Sequence, residues 1–190
     1  MNVNKLLIGG LIIGIGAILL LTTKIGSKTD TKQSTTIANS PSTNSTTTTQ
    51  TITIGSIAPD FTLTNLDKET FRLGDKKGKT IILFGMAGWC GTCIAEGKVL
   101  TKIKTEYADK GVEVIGVAFT EGDNEDFLRE FKRLGQIDIP LALDTDNVAG
   151  KYNLTRLETT YIINKEGIIV YTDEQNTSEE IYRKELEKIL

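Results

Sequence analysis

From residue 54 to residue 190, apolar runs short enough to be strands alternate with stretches whose apolar positions recur every three or four residues. Gly55-Ser56-Ile57-Ala58-Pro59-Asp60-Phe61-Thr62-Leu63 leads into a short strand, and Thr70 to Leu73 reads as its hairpin partner across Asn65-Leu66-Asp67. Lys79 to Phe84 is a buried strand. Helical periodicity then runs from Cys93 through Val99, Leu100, Ile103 and Tyr107, and Gly111 supplies the stop. Val112 to Phe119 is a second buried strand. Asp123 or Asn124 caps a helix whose apolar face is Phe127, Leu128, Phe131 and Leu134, ended by Gly135. A short strand at Pro140 to Leu143 and a short helix at Asn147 to Tyr152 come next. Thr160 to Asn164 and Ile168 to Thr172 form a hairpin across Lys165-Glu166-Gly167, and Ser178 opens a last helix over Glu179 to Leu190. Strands and helices in this order predict one three-layer α/β domain.

The preceding residues follow another pattern. Leu6 to Thr23 is a stretch of 18 uncharged residues between Lys5 and Lys24. As a helix rising about 1.5 Å per residue it reaches roughly 27 Å, enough to cross the hydrocarbon core of a bilayer. No small-residue cleavage site follows, so residues 1–26 read as an uncleaved anchor in preference to a signal peptide. From Ser27 to Thr53, 16 of 27 residues are Ser or Thr, a composition that cannot bury a core and predicts a solvated stalk. The organisation expected is therefore anchor 1–26, stalk 27–53 and folded domain 54–190. Counting flanking lysines mildly favours a cytoplasmic domain. The stalk and the redox chemistry below argue for the extracytoplasmic side, which is the placement expected.

Net charge changes the picture little. Residues 54–190 hold 18 basic and 24 acidic groups, net −6, with no basic stripe, so nucleic-acid binding is set aside. The chain has no histidine, which removes Ser-His and Cys-His hydrolases and histidine-based metal sites.

The candidate chemistry sits at Gly88-Trp89-Cys90-Gly91-Thr92-Cys93, where the Lys79 to Phe84 strand gives way to a helix. Cys90 and Cys93 are the only two cysteines of the chain. Their spacing puts both sulfurs in the first helical turn, close enough for a disulfide. A zinc site needs four ligands and finds no third cysteine or histidine, and so short a loop is a weak staple. Unpaired amides and the macrodipole at a helix start favour a thiolate. The expectation is a dithiol–disulfide exchanger with no metal and no cofactor beyond this pair, in which an exposed Cys90 attacks and Cys93 resolves.

The residues also resemble a known family. Gly-Ser-Ile-Ala-Pro-Asp-Phe-Thr-Leu at 55–63, Ala-x-Trp-Cys-x-x-Cys at 87–93, Glu96 three residues past the second cysteine and the segment from Tyr152 to Gly167 are together similar to membrane-anchored thioredoxin-like proteins of the TlpA/ResA type. The resemblance implies a thioredoxin-like α/β/α sandwich with an N-terminal β-hairpin and a strand and helix inserted mid-domain. It implies exchange with exported protein thiols and disulfides such as apocytochrome c, and recharging by a membrane electron carrier. It gives Glu96 the role of taking or returning the proton of the buried thiol. Trp89, Gly91, Thr92, Leu157, Glu158 and Thr159 would form the wall of the site.

Three positions depart from the family pattern. Glu158 stands where the family has a cis-proline facing the cysteines, Phe84 where thioredoxins keep a buried acid, and Lys98 where a proline bends the helix. A carboxylate beside Cys90 would raise its thiol pKa and make the pair more reducing. Replacing Glu158 by proline is then expected to reverse this, unless Glu158 points into solvent. Two other functions compete with the exchanger: a peroxiredoxin-like thiol peroxidase, which shares the Ala-Pro-Asp-Phe-Thr-Leu opening, and a thioredoxin-like binding module that has lost catalysis.

Overall fold

The computed structural model describes residues 52–190. The apolar segment 6–23 and nearly all of the Ser/Thr-rich stretch lie outside the described residues. Among the described residues no helix is long and apolar enough to cross a membrane.

Among the described residues seven strands and four α-helices follow in the order β1 (Thr62–Thr64), β2 (Thr70–Arg72), β3 (Thr80–Met86), α1 (Cys93–Glu106), β4 (Val112–Ala118), α2 (Glu125–Gly135), β5 (Leu141–Leu143), α3 (Val148–Tyr152), β6 (Thr159–Ile163), β7 (Ile169–Glu174) and α4 (Glu179–Glu187). β1 and β2 pair antiparallel as a separate hairpin, and the other five form one sheet in the order β5-β4-β3-β6-β7. β3 and β4, and β4 and β5, run parallel, whereas β6 and β7 are antiparallel to their neighbours. The result is the thioredoxin-like α/β sandwich.

β3 is central because it is apolar on both faces, and every one of its seven residues is buried. Ile82, Phe84 and Met86 face one core with Leu100 and Ile103 of α1, Leu128 and Phe131 of α2, and Tyr182 and Leu186 of α4. Ile81 and Leu83 face the other, with Val148 and Tyr152 of α3 and Phe61, Leu63 and Phe71 of the hairpin. The pleat's period of two sorts these neighbours into separate layers.

The Ala-Pro-Asp-Phe opening turns out to be structural. The Phe61 and Phe71 rings stack at 5.8 Å, and Tyr152 meets Phe61 edge-on while donating its hydroxyl to the Pro59 carbonyl at 2.8 Å. Asp60 accepts the Gly74 amide at 2.7 Å and pairs with Arg72 at 3.0 Å. Those two bonds hold its carboxyl below the ordinary carboxylate pKa against a desolvation cost that acts the other way.

Two expectations for α2 need correction. Asn124 is its cap, accepting the Phe127 amide at 3.0 Å, a contact worth about 1 kcal/mol. Its buried stripe is only Leu128, Phe131 and Gly135, while Phe127 and Leu134 are 43% and 55% exposed. The left-handed residue that ends the helix is Gln136 at φ 51°, one position beyond the glycine. Gly135 is required for a different reason, since a Cβ there would lie 2.4 Å from Ile137 Cδ1.

Candidate functional site

The cysteine pair lies beyond the C-terminal end of β3. Past Met86 the chain turns through Ala87, Gly88 and Trp89, and the Cys90 amide donates to the Ala87 carbonyl at 3.0 Å. This turn is pressed against α2: a Cβ on Gly88 would sit 2.7 Å from Phe127 Cβ and 2.9 Å from the Phe127 backbone carbon. Asp123 ties the two segments together. Its Oδ1 accepts the Gly88 amide at 2.8 Å, and its Oδ2 accepts the Thr120 amide at 3.0 Å and hydroxyl at 2.6 Å. The Thr120 hydroxyl in turn accepts the Trp89 indole N–H at 3.0 Å. Trp89 is 57% exposed, so its ring is not part of the core and is held by one polar contact on the surface beside Cys90.

Cys90 and Cys93 form a disulfide, with Cα atoms 5.3 Å apart. The geometry corrects two expectations about them. α1 starts at Cys93, so Cys90 precedes the helix and its sulfur accepts the Cys93 amide at 3.2 Å, an acceptor placed on one of the helix's unpaired N-terminal donors. Cys90 is 5% exposed and Cys93 fully buried. Cys90 belongs to the core cluster of α1 and α2, which is why it is less open than an attacking sulfur was expected to be. Thr92 Oγ1 lies 3.4 Å from the Cys90 sulfur, and Gly91 and Thr92 are both exposed. Among the described residues no group of three or more acidic, cysteine or histidine side chains is placed to hold a metal.

One helical turn past Cys93, Glu96 has no solvent exposure. Its Oε1 accepts the Tyr182 hydroxyl at 2.6 Å and the Thr160 hydroxyl at 2.9 Å, and those two hydroxyl oxygens are 2.9 Å apart. Oε2 is buried with no hydrogen-bond partner. Burial raises the carboxyl to a pKa of about 7, with the charge of Asp173 acting in the same direction. The Tyr182 and Thr160 hydroxyls and the Thr177 amide favour the ionised form, and they do not outweigh the loss of water. Burial, and after it the charge of Glu96, lift the Tyr182 hydroxyl well above its ordinary pKa. Phe84, the missing-acid position, faces Thr160 across the β3–β6 pairing, so the carboxyl of this site comes from α1 instead of from β3. Lys98 is exposed, and α1 runs through it without interruption.

The wall at Leu157, Glu158 and Thr159 differs from the expectation most. Glu158 has φ 65°, in the left-handed region, and its amide donates to the Gly85 carbonyl at 2.9 Å. A proline could satisfy neither feature, because its ring fixes φ near −65° and it has no N–H. The segment is thus a differently built turn, and a proline at 158 would break it instead of tuning Cys90. The Glu158 carboxylate accepts from Asn176 Nδ2 at 3.5 Å, and none of the hydrogen bonds to either cysteine involves it. Leu157 and Glu158 are half-buried, and Thr159 is buried with its hydroxyl on the Arg156 carbonyl at 2.7 Å.

Asp123, Thr120, Thr160 and Tyr182 did not stand out in the sequence as site residues. Asp123 carried a signal as one of two candidate helix caps, and freedom from that duty lets it bind the Trp89 loop. Tyr182 and Thr160 are far from the cysteines in sequence and look like ordinary core positions.

The AhpC/TSA family model matches residues 54–172. The thioredoxin-like protein YneN of Bacillus subtilis (strain 168) is 36% identical over 116 residues, which is 60% of this chain and 68% of that protein. The thiol-disulfide oxidoreductase ResA of Geobacillus kaustophilus (strain HTA426) is 30% identical over 139 residues, 73% of this chain and 79% of ResA. Among solved structures, the thioredoxin domain of a thiol-disulfide oxidoreductase from Bacteroides vulgatus has a TM-score of 0.64 at 22% identity, covering 74% of this chain and 100% of that one. A thiol:disulfide interchange protein from Chlorobium tepidum TLS has a TM-score of 0.64 at 19% identity, over 73% of this chain and 99% of its own. At such identities the structures speak for the fold, while the family match and the two sequence relatives carry the kinship. The chain belongs to the AhpC/TSA family, as a TlpA/ResA-like thioredoxin-fold thiol–disulfide oxidoreductase.

Proposed function

We propose that this protein is held at the outer face of the cytoplasmic membrane by residues 6–23 and reduces disulfides in exported proteins, drawing its electrons from a membrane carrier. The observation that carries the reading is the buried Glu96 carboxyl one turn past Cys93, poised to ionise near neutrality. In the dithiol form Cys90 attacks a partner disulfide as thiolate, forming a mixed disulfide and releasing one partner thiolate. Cys93 gives its proton to Glu96 and attacks the Cys90 sulfur. The second partner thiolate leaves, and two electrons have passed from the pair to the substrate. An acid of pKa about 7 is matched to moving that proton in either direction. Trp89, exposed beside Cys90, offers apolar surface to the partner chain, and Leu157, Glu158 and Thr159 border the approach.

The test is to express Cys93→Ser in cells, where the mixed disulfide on Cys90 cannot be resolved, and to identify what it holds. Exported cysteine proteins such as apocytochrome c are the expected catch. Insulin-disulfide reduction should be lost in Cys90→Ser, and its persistence would end the exchange reading in favour of another site. The AhpC/TSA match favours one second reading, a thiol peroxidase using Cys90. Peroxide consumption that survives Cys93→Ser with an external thiol supplied would replace the first reading by this one.

A further inference from the structure

Around Glu96 the hydrogens can be counted. Glu96 Oε1, the Tyr182 hydroxyl oxygen and the Thr160 hydroxyl oxygen form a closed triangle with sides of 2.6, 2.9 and 2.9 Å. Each hydroxyl owns one hydrogen. With the carboxyl ionised, two hydrogens serve three contacts, and the Thr160–Tyr182 edge is left as lone pair against lone pair. With a proton on Oε1 there are three hydrogens for three edges, and each oxygen donates once and accepts once around the ring. The buried site has no water-exposed face to relieve a missing hydrogen, since Glu96, Thr160 and Tyr182 all have zero exposure.

We propose that Tyr182 and Thr160 are positioning residues which, in the disulfide form, fix the Glu96 carboxyl in this ring and, by donating to the carboxylate as it forms, let Glu96 release its proton to the Cys93 sulfur. The proposal rests on the reading that Cys90–Cys93 is an exchanging pair, and it concerns the recharging half of the cycle. A thiolate of the reducing partner attacks Cys90, the Cys90–Cys93 bond breaks, and its electron pair stays on Cys93. Glu96 gives its proton to that sulfur, so the buried pocket never holds two anions. The two hydroxyls then each donate to the carboxylate left behind, and the ring opens at its Thr160–Tyr182 edge.

The surroundings agree from every side. α1 contributes Cys93 and Glu96 itself. β7 contributes Asp173, whose carboxylate is already occupied by the Tyr171 hydroxyl at 2.5 Å and the Thr177 hydroxyl at 3.0 and 2.8 Å. α4 contributes Tyr182, and the Thr177 amide just before that helix favours the ionised carboxyl as the two hydroxyls do. Among the described residues no lysine or arginine pairs with Glu96, so nothing cationic competes for the role of its proton.

The experiment is infrared difference spectroscopy of the full-length protein in the disulfide form, titrated with pH, using Glu96→Gln to assign the C=O band of the protonated carboxyl. A Glu96 band titrating near neutrality is expected. Tyr182→Phe, which removes only the hydroxyl, should move its midpoint up by about one unit, as loss of a short bond to the charged form requires. Thr160→Val should move it the same way, with Thr160→Ser restoring the wild-type value, and these cover the case in which Tyr182→Phe does not fold. Re-reduction of each variant by dithiothreitol should follow the shifted midpoint. No Glu96 band at any pH above about 5, or a midpoint unmoved in both hydroxyl-deleted variants, overturns the proposal. Wild-type exchange rates in Glu96→Gln, alongside the predicted band shifts, would instead refute the function assigned to Glu96 and leave the proton ring standing.

Discussion

Glu158 donates its amide to the Gly85 carbonyl at 2.9 Å from a backbone with φ 65°, which fastens the start of β6 to β3 at a place where a β-carbon is disfavoured. Proline there would lose the bond and could not reach the angle, so Glu158→Pro should destabilise the protein by about 3 kcal/mol. Glu158→Gly removes the strain and adds freedom to the unfolded chain, two effects of about 1 kcal/mol each and opposite sign. Urea midpoints should therefore fall sharply for proline and stay near wild type for glycine. A proline variant with an unmoved midpoint would show the turn to be wrongly described.

Burial of Glu96 links stability to pH. Its carboxyl titrates near 4.5 when unfolded and at about 7 when folded. Between these values the unfolded chain has lost the proton and the folded one keeps it, so stability falls as pH rises through that window. The contribution is full below pH 4.5 and gone above about 7, a total of about 3 kcal/mol. Asp60, Glu125, Glu130, Asp146 and Glu179, whose pKa values are lowered, slope the other way at more acid pH. The measurement is thus the difference between wild type and Glu96→Gln in the disulfide form: denaturant midpoints of the variant should lack the decline from pH 5 to 7. Parallel curves would rule out the raised pKa.

Two glycines of the active-site segment should behave oppositely. Gly88→Ala drives a methyl to within 2.7 Å of Phe127 Cβ and 2.9 Å of its backbone, and is expected to cost about 1–3 kcal/mol and to slow exchange. Gly91→Ala, between the cysteines, meets nothing within 4 Å and should fold normally. Thermal melts of the two variants, with insulin reduction as the activity measurement, decide the matter; equal melting temperatures would contradict the packing described for the loop.

Trp89 is the only tryptophan of the chain, so its fluorescence reports this loop alone. Thr120→Val removes the acceptor of the indole N–H and should lower the steady-state anisotropy of Trp89 with little change in melting temperature. Asp123→Ala leaves the Gly88 and Thr120 amides without their carboxylate and should cost about 2 kcal/mol as well as loosening the ring. Anisotropy identical to wild type in both variants would mean that the contact does not hold the indole.

Most of the fold was legible because its signals are local. β3, β4 and α1 announce themselves by continuous apolar runs and a clear helical period, and their observed limits differ from the expected ones by a residue or two. Phe127 and Leu134 misled because periodicity shows a helix's apolar residues without showing how wide the neighbouring surface is; α1 and the sheet cover only the stripe through Leu128 and Phe131. The cysteine pair was legible from spacing. The reduced exposure of Cys90 was not, since it depends on how α2 packs over the loop. Glu158 was noticed as a departure, but its backbone angle follows from the bond to Gly85, a partner distant in sequence. Tyr182 and Thr160 could not be found from pattern, because a tyrosine and a threonine at buried positions read as core until a carboxyl is placed between them.

The carboxyl of Glu96 is closed off by β6 and by α4, the last helix of the chain. Chains are made from the N-terminus, and both cysteines emerge well before Tyr182 does. A nascent protein can join Cys90 to Cys93 as soon as α1 forms, yet the acid behind them stays open to water until the C-terminus has docked. Newly made molecules should pass through an interval in which the pair is oxidised and its proton chemistry is unfinished. C-terminal truncation or a bulky tag that hinders α4 would prolong that interval without touching either cysteine.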